Sequence, residues 1–110
     1  MNRETSSLIS IETIKAIIKK ELGVNLYYNE SMNTDIESYY SKNLNYSVMD
    51  TKTYNNKRWF VRLNKETKSG VNLELVNHNV KTEKELLDLI RKFKKVRKMI
   101  WAKLKMILSM

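Results

Sequence analysis

The chain has 110 residues, of which 42% are hydrophobic and 30% are charged, a size and balance typical of one folded domain. No run approaches the ~18 apolar residues of a membrane-spanning helix, and the N-terminal residues lack the apolar stretch of a signal peptide, so a cytoplasmic location is expected. The absence of Cys and the single His78 exclude disulfides, thiolate zinc sites and two-histidine metal sites, and no cofactor is expected.

Positive charge is concentrated in the second half of the chain. Residues 1–55 carry six basic and seven acidic side chains, whereas residues 56–110 carry fifteen and five. Residues 91–110 contain eight basic side chains and no acidic one. Such a segment attracts polyanions or acidic protein surfaces. The absence of Pro and the abundance of Lys, Asn and Ile are also typical of an AT-rich genome, such as that of a low-GC bacterium or its phages.

Two helices are predicted in the first half of the chain. Ser10 precedes apolar residues at helical spacing and Gly23 follows them, which predicts a helix over residues 11–22. Thr34 and Glu37 form the pattern of a capping box, which predicts a second, short helix. The apolar side of that helix would carry Ile36, Tyr39, Tyr40 and Leu44.

From residue 45 the apolar pattern changes to a period of two, which indicates strands. Alternation over residues 46–51 and 59–63 predicts a β-hairpin with its tip at residues 54–57, and residues 68–70 predict a second turn. A third strand is predicted over residues 71–77. Its apolar face would carry Val71, Leu73 and Leu75.

A second capping box, at residues 82–85, predicts the start of a long final helix with acidic side chains in its first turn. Its apolar stripe consists of Leu86, Leu89, Ile90, Phe93, Val96, Ile100, Leu104, Ile107 and Leu108. The expected fold is a single α+β domain, with two N-terminal helices, a three-stranded antiparallel sheet and a long C-terminal amphipathic helix. Because that helix would be ~42 Å long, we expect residues 96–110 to protrude or to meet a partner.

The main candidate site is a nucleic-acid-binding surface formed by the cations of the final helix, because a row of Lys and Arg releases counterions from phosphates. These cations are Arg91, Lys92, Lys94, Lys95, Arg97, Lys98, Lys103 and Lys105. Arg58, Arg62 and Lys65 on the hairpin are candidates to extend the surface. The alternative is that the cations are simply the solvated face of a core helix.

Met99, Trp101 and Met106 lie beside or outside the apolar stripe and form a candidate partner-binding surface. A helix with a cationic face, an apolar face and a Trp is also typical of membrane-surface binding, but an ordinary core face explains most of the same pattern. Several aromatic side chains offer rings for base stacking, although Tyr and Trp in strands usually pack in the core. They are Tyr27, Tyr28, Tyr39, Tyr40, Tyr46, Tyr54, Trp59 and Phe60.

The best catalytic candidates are Asp50, Glu66 and Lys68, residue types with which two-metal nucleases hold Mg²⁺ and approach the phosphate. Glu66 and Lys68 fall at a predicted strand end, where charged turn residues are common. His78 is expected in a loop, without the positioned partners that a general base needs. The sequence therefore predicts no catalytic residue and no enzyme activity.

Residues 50–54 (DTKTY), an Asn-rich turn, the strand at residues 59–64 and the acidic-apolar helix start at residues 82–87 resemble the C-terminal accessory domain of restriction-type nuclease proteins. The resemblance covers about residues 10–95, with a shorter hairpin and Val61 where that family has Cys. In that family the region lies beside the nuclease and does not itself cleave. The resemblance thus implies a DNA-related accessory role, and it carries over no catalytic residue.

Two hypotheses follow. The first is a small nucleic-acid-binding accessory protein of a phage or mobile element, which contacts phosphates through the final helix and prefers DNA to RNA. The second is a protein-binding module or inhibitor, for example of a host nucleic-acid-targeting system, which docks the same helix on an acidic or apolar protein surface. Pairing of two final helices would make a homodimer, a further form of the second hypothesis.

Overall fold

A computed structural model describes residues 8–29, 36–51, 57–66 and 72–108, with the backbone alone for residues 66, 72, 73 and 100–108. Within these ranges two helices and five strands follow one another along the chain. They are α1 (Ile11–Leu22), β1 (Tyr27–Tyr28), β2 (Ser38–Tyr40), β3 (Tyr46–Asp50), β4 (Trp59–Glu66), β5 (Asn72–Val80) and α2 (Glu83–Leu108). The chain is therefore of the α+β class.

The prediction of two N-terminal helices and a three-stranded sheet is wrong. The described residues form one N-terminal helix and an antiparallel sheet of five strands in the order β1-β2-β3-β4-β5. The segment predicted as the second helix contains β2, in which Tyr39 lies opposite Val48 of β3. Aromatic residues favour strands, and cross-strand packing here outweighs a local capping pattern. Ile36 and Leu44, expected on the apolar side of that helix, are exposed.

The hairpin of β3 and β4 is confirmed. Tyr46 lies opposite Leu63, and the pairing continues to Asp50 and Trp59 at the other end. Trp59, Val61 and Leu63 are buried, as their alternation predicts. These side chains define the face of the sheet that the helices cover.

The pairing of β4 with β5 contains an irregularity that changes which residues are buried. Leu63 pairs with Val76 but Asn64 pairs with Glu74, so the register shifts between the two β4 residues. A one-residue shift moves side chains to the other face of a strand. Val76 is buried, and Leu75 is half-buried and packs against the core. The side chains of Val71 and Leu73 lie outside the described residues, so the apolar face predicted for this strand stays a prediction.

Both helices begin as their capping residues predict, and α1 also ends as Gly23 predicts. Ser10 Oγ accepts a hydrogen bond from the Thr13 amide (3.1 Å), and Gly23 ends α1 in the left-handed region at φ 71°, donating from its amide to Lys19. At the start of α2, Thr82 Oγ1 accepts from the Glu85 amide (3.2 Å) and Glu85 Oε1 accepts from the Thr82 amide (3.1 Å). This reciprocal pair is the predicted capping box.

The core lies between the sheet and the two helices. The innermost side chains come from α1, from the three longest strands and from the first three turns of α2, and burying such side chains contributes about 1.5–3 kcal/mol each. Those that are fully buried are Ile14, Ile18, Val48, Val61, Leu63, Val80, Leu86, Ile90 and Phe93. The apolar stripe predicted for α2 is thus confirmed as far as Phe93, and it fixes which side of the helix faces solvent.

Some predicted features cannot be compared with the structure, because they fall outside the described residues. These are the hairpin tip at residues 54–56, the turn at residues 68–70 and the side chains of Val71 and Leu73. The protrusion of residues 96–110 stays a prediction for the same reason, since side chains from residue 100 onward are not described.

Candidate functional site

A groove bounded by basic side chains lies between the end of β4 and the middle of α2. It has a volume of about 440 Å³ and is lined by Lys65, Lys94, Arg97 and Lys98. We call these four residues the cationic groove. Three of them lie at positions i, i+3 and i+4 of α2, which places them on neighbouring parts of one helix face. Lys65 comes from β4, so the groove joins two separate elements.

The position of α2 follows from its apolar stripe. Leu86, Leu89, Ile90 and Phe93 face the sheet and are buried, so residues on the flank of the helix point along the sheet edge. Arg97 occupies that flank: its Cζ lies 5.0 Å from the centroid of the Phe93 ring. A guanidinium on an aromatic face is held at a fixed distance from the core. One groove cation is therefore anchored by the same ring that fills the core.

Lys94 is the groove cation with a neighbouring acid. Its Nζ lies 3.1 Å from Oε1 of Glu21 in the last turn of α1, and both side chains are partly exposed. Lys98, one turn further along α2, is exposed and forms no salt bridge with any described residue. The groove thus contains one cation that is paired with an acid, Lys94, and one exposed cation, Lys98, that is available to an anion.

Two further cations of α2 extend this positive surface. Lys92 and Lys95 are exposed, and neither has an ion-pair partner within the part of the chain that the structure describes. Arg91 differs, because its Nη1 lies 3.1 Å from Oδ1 of Asp88, whose Oδ2 also accepts from Lys84 at 2.9 Å. The bond from Lys84, together with Arg91, holds the pKa of the Asp88 carboxyl below its usual value.

The structure does not bring Arg58 and Arg62 into the groove. Arg58 Nη1 lies 3.4 Å from Glu85 Oε2 at the start of α2. Arg62 lies on the sheet face opposite the helices, where its Nε is 2.8 Å from Glu74 Oε1, an ion-pair contact without hydrogen-bond geometry. Its guanidinium also lies 5.6 Å from the ring of Phe60. Each arginine is therefore paired with a glutamate that lies outside the groove.

The predicted partner-binding residues are described only in part. Met99 is 56% exposed on α2. Trp101 and Met106 belong to the same helix, as do the predicted phosphate contacts Lys103 and Lys105, but the side chains of these four residues are not described. The partner-binding surface therefore stays a prediction.

The catalytic candidates are not assembled by the described residues. Asp50 Oδ2 lies 3.1 Å from Lys57 Nζ in a pair next to the tip of the hairpin, whereas the Glu66 side chain and Lys68 are not described. His78 belongs to β5, not to a loop, and it is exposed beside Glu85. Among the described residues no group of three His, Cys, Asp or Glu side chains is arranged to hold a metal ion.

Sequence reasoning found the α2 cations through helical periodicity, and it named Lys65 as an extension of them. It missed Glu21, which is 73 positions from Lys94 along the chain. It also left unassigned a hollow between residues 24–27 and the turn after β2. No local pattern signals either feature, because both are created by the way α1 and the sheet come together.

No known family model, curated protein or solved structure matches this chain. Within the described residues, no helix is both long enough and apolar enough to cross a membrane. The candidate site is therefore defined by its geometry alone, as a groove lined by one cation of a strand and three cations of a helix.

Proposed function

We propose that the protein binds the phosphate backbone of a nucleic acid in the cationic groove and along the exposed cations of α2. The observation that supports this most is the convergence of Lys65 with Lys94, Arg97 and Lys98 around an open groove. If the α2 cations were only the solvated face of a core helix, a cation from β4 would not be expected beside them. A groove of one charge sign concentrates a polyanion, and each neutralised phosphate releases counterions.

Phosphate contacts orient a nucleic acid without reading its sequence, so the proposed binding has little sequence preference. The resemblance to the accessory domain of restriction-type nuclease proteins favours DNA as the polymer. We propose an accessory role in a phage or mobile element, in which the protein holds nucleic acid and performs no chemistry on it.

The test is fluorescence anisotropy of labelled DNA as a function of salt concentration. If about four phosphates contact the groove, the logarithm of the affinity should fall with the logarithm of salt with a slope of about −3 to −4. Lys65→Gln and Lys98→Gln should each reduce the slope by about one and weaken binding evenly across sequences.

Lys57→Gln is the matched control for Lys65→Gln. Lys57 lies two residues before β4 and Lys65 lies near its end, so the two are separated by about 26 Å at 3.3 Å per residue. Lys57 is paired with Asp50 away from the groove. The control should retain the slope and affinity of the unmodified protein. Equal effects of the two substitutions, or no binding at low salt, would overturn the proposal.

The second candidate is protein docking through α2. It is favoured by Met99, a large apolar side chain that is 56% exposed beside the basic surface. If α2 docks on a protein or on a second copy of the chain, Trp101→Ala and Met106→Ala should abolish the association and leave nucleic-acid binding unchanged. Sedimentation of a monomer at high protein concentration would remove the homodimer.

A further inference from the structure

A second concave site, which we call the aromatic hollow, lies at the same end of the sheet as the cationic groove. It has a volume of about 230 Å³ and lies between the connection from α1 to β1 and the turn from β2 to β3. The residues that line it include Tyr27 and Tyr46 together with Asn25 and Lys42. Tyr27 is 47% exposed, and Asn25 and Lys42 are exposed.

The aromatic hollow and the cationic groove each have a lining residue that packs on the same buried ring, Phe93. Tyr46 packs edge-to-face on Phe93, with centroids 5.8 Å apart and planes at 80°. The same Phe93 ring carries the guanidinium of Arg97, 5.0 Å from its centroid. Tyr46 thus lines the aromatic hollow, Arg97 lines the cationic groove, and both side chains lie against the Phe93 ring.

The turn that forms one wall of the aromatic hollow is held by its own hydrogen bonds. Ser41 Oγ donates to Asn43 Oδ1 at 2.8 Å and accepts from the Tyr46 amide at 3.1 Å. Asn43 Oδ1 also accepts from the Asn45 amide at 3.1 Å. A wall that is ordered before binding loses little conformational entropy when a ligand enters. The hollow is therefore shaped in the free protein.

A cation also lies over one of the rings. Lys42 Nζ is 5.9 Å from the centroid of Tyr27, and it forms no salt bridge to any residue that the structure describes. A half-exposed ring with an adjacent cation suits a flat aromatic group attached to a phosphate, because the ring stacks while the cation contacts the phosphate. Asn25 offers an amide that can donate to and accept from a base edge.

We propose that the aromatic hollow receives one unstacked nucleobase of a single-stranded nucleic acid whose adjoining phosphates occupy the cationic groove. This rests on the proposed function and gives it a substrate class. Bases in a duplex are stacked and paired, so their faces are not available to Tyr27. A single strand can turn a base outward and stack it on an aromatic side chain. The protein should accordingly prefer single strands to duplexes.

The experiment compares a labelled single strand of about twelve nucleotides with the duplex of the same sequence, by anisotropy at two salt concentrations. The unmodified protein should bind the single strand about tenfold more tightly. Tyr27→Leu should lose most of that preference without a change in salt slope, since the slope reports phosphate contacts. Tyr27→Trp, which keeps an aromatic face, should retain it.

Tyr28→Leu is the matched control, because Tyr28 is the other residue of β1 and is 56% exposed but does not line the aromatic hollow. It should leave both affinities unchanged, and thermal unfolding should show that both leucine variants are folded. Equal binding of duplex and single strand, or equal effects of Tyr27→Leu and Tyr28→Leu, would overturn this inference while leaving the groove proposal intact. Loss of all binding at low salt would instead overturn the groove proposal.

Discussion

Lys94 Nζ lies 3.1 Å from Glu21 Oε1, so that the last turn of α1 places a carboxylate at the border of the cationic groove. The pair connects two helices, but both side chains are partly exposed, and such a pair contributes only about 0–1 kcal/mol to stability. Its larger consequence is electrostatic. The carboxylate competes with any phosphate that approaches Lys94.

Removing this carboxylate should therefore strengthen nucleic-acid binding. For Glu21→Gln we expect an affinity gain of about fivefold at low salt, because two unit charges about 4 Å apart in water interact by about 1 kcal/mol. The gain should shrink as salt rises, since added ions screen exposed charges. Anisotropy titrations at several salt concentrations measure both effects.

Glu12→Gln provides the control for this prediction. Glu12 lies in the first turn of the same helix and is exposed, so the substitution makes the same change in net charge at a distance from the groove. It should alter the affinity by much less. If Glu21→Gln instead binds more weakly, the carboxylate positions Lys94 for binding and does not compete with the phosphate.

The capping box at the start of α2 makes a prediction about stability and pH. The Glu85 carboxylate accepts from the amides of Lys81 (2.8 Å) and Thr82 (3.1 Å), and Arg58 lies 3.4 Å away. Partial burial raises the pKa of Glu85, but the two amides and Arg58 outweigh it, so the pKa lies below its ordinary value of 4.5. A lowered pKa in the folded state means that the unfolded state binds protons first. The stabilisation is present above about pH 4.5 and is lost as the pH falls below it.

We expect Thr82→Ala to lower the free energy of unfolding by about 1 kcal/mol at every pH, since it removes a cap without changing a charge. Glu85→Gln keeps a side chain that can accept from the amides but abolishes the titration. It should be less stable than the unmodified protein at pH 7 and nearly equal to it at pH 3. Urea unfolding across this range measures both variants, and parallel pH profiles for Glu85→Gln and the unmodified protein would contradict the assignment.

Sequence reasoning succeeded where the signal is local and repeated. α1 and α2 were found from capping residues and helical periodicity, and the β3–β4 hairpin from its alternation over eleven residues. β1 and β2 were missed because strands of two and three residues have no period to detect. The pattern Thr34 to Glu37 then favoured a helix, although Tyr39 gains more from packing against Val48 in the sheet.

The candidate site, like the fold, could be predicted only in part. The α2 cations could be predicted because the apolar stripe defines the solvent side of the helix. The contact of Lys94 with Glu21 could not, because it depends on how α1 and α2 meet in space. The burial of Val76 could not be predicted for a related reason, because it depends on the register shift after Leu63.

Replacing Leu44 should stabilise the protein. It lies in the turn between β2 and β3 with φ 63°, in the left-handed region, and its side chain is 60% exposed. This conformation costs a residue with a Cβ about 1–2 kcal/mol, but Asn tolerates it better. Leu44→Asn should raise the free energy of unfolding by about 0.5–1 kcal/mol in urea titrations. Leu44→Ala retains the backbone cost, so an Asn variant no more stable than the Ala variant would contradict this account.

The Tyr39 hydroxyl predicts that the protein loses stability at alkaline pH, as the Glu85 carboxyl does at acidic pH. Its hydroxyl donates to the Glu37 carboxylate, and Lys15 Nζ lies 5.6 Å from its ring. Burial, followed by the neighbouring Glu37 carboxylate, raises the pKa of Tyr39 well above its ordinary value of 10.0. A raised pKa in the folded state means that the unfolded state ionises first, so the stabilisation is present below about pH 10 and is lost as the pH rises above it.

Tyr39→Phe should lower the free energy of unfolding by about 1–2 kcal/mol at pH 7, because it removes a hydrogen bond to a charged group. It should also weaken the loss of stability above pH 10, because the titrating hydroxyl is gone. Urea unfolding from pH 7 to pH 11 measures both effects, with Tyr27→Phe as the control since Tyr27 is 47% exposed. If both variants follow the alkaline profile of the unmodified protein, Tyr39 ionises freely in the folded state and the Glu37 contact does not hold its proton.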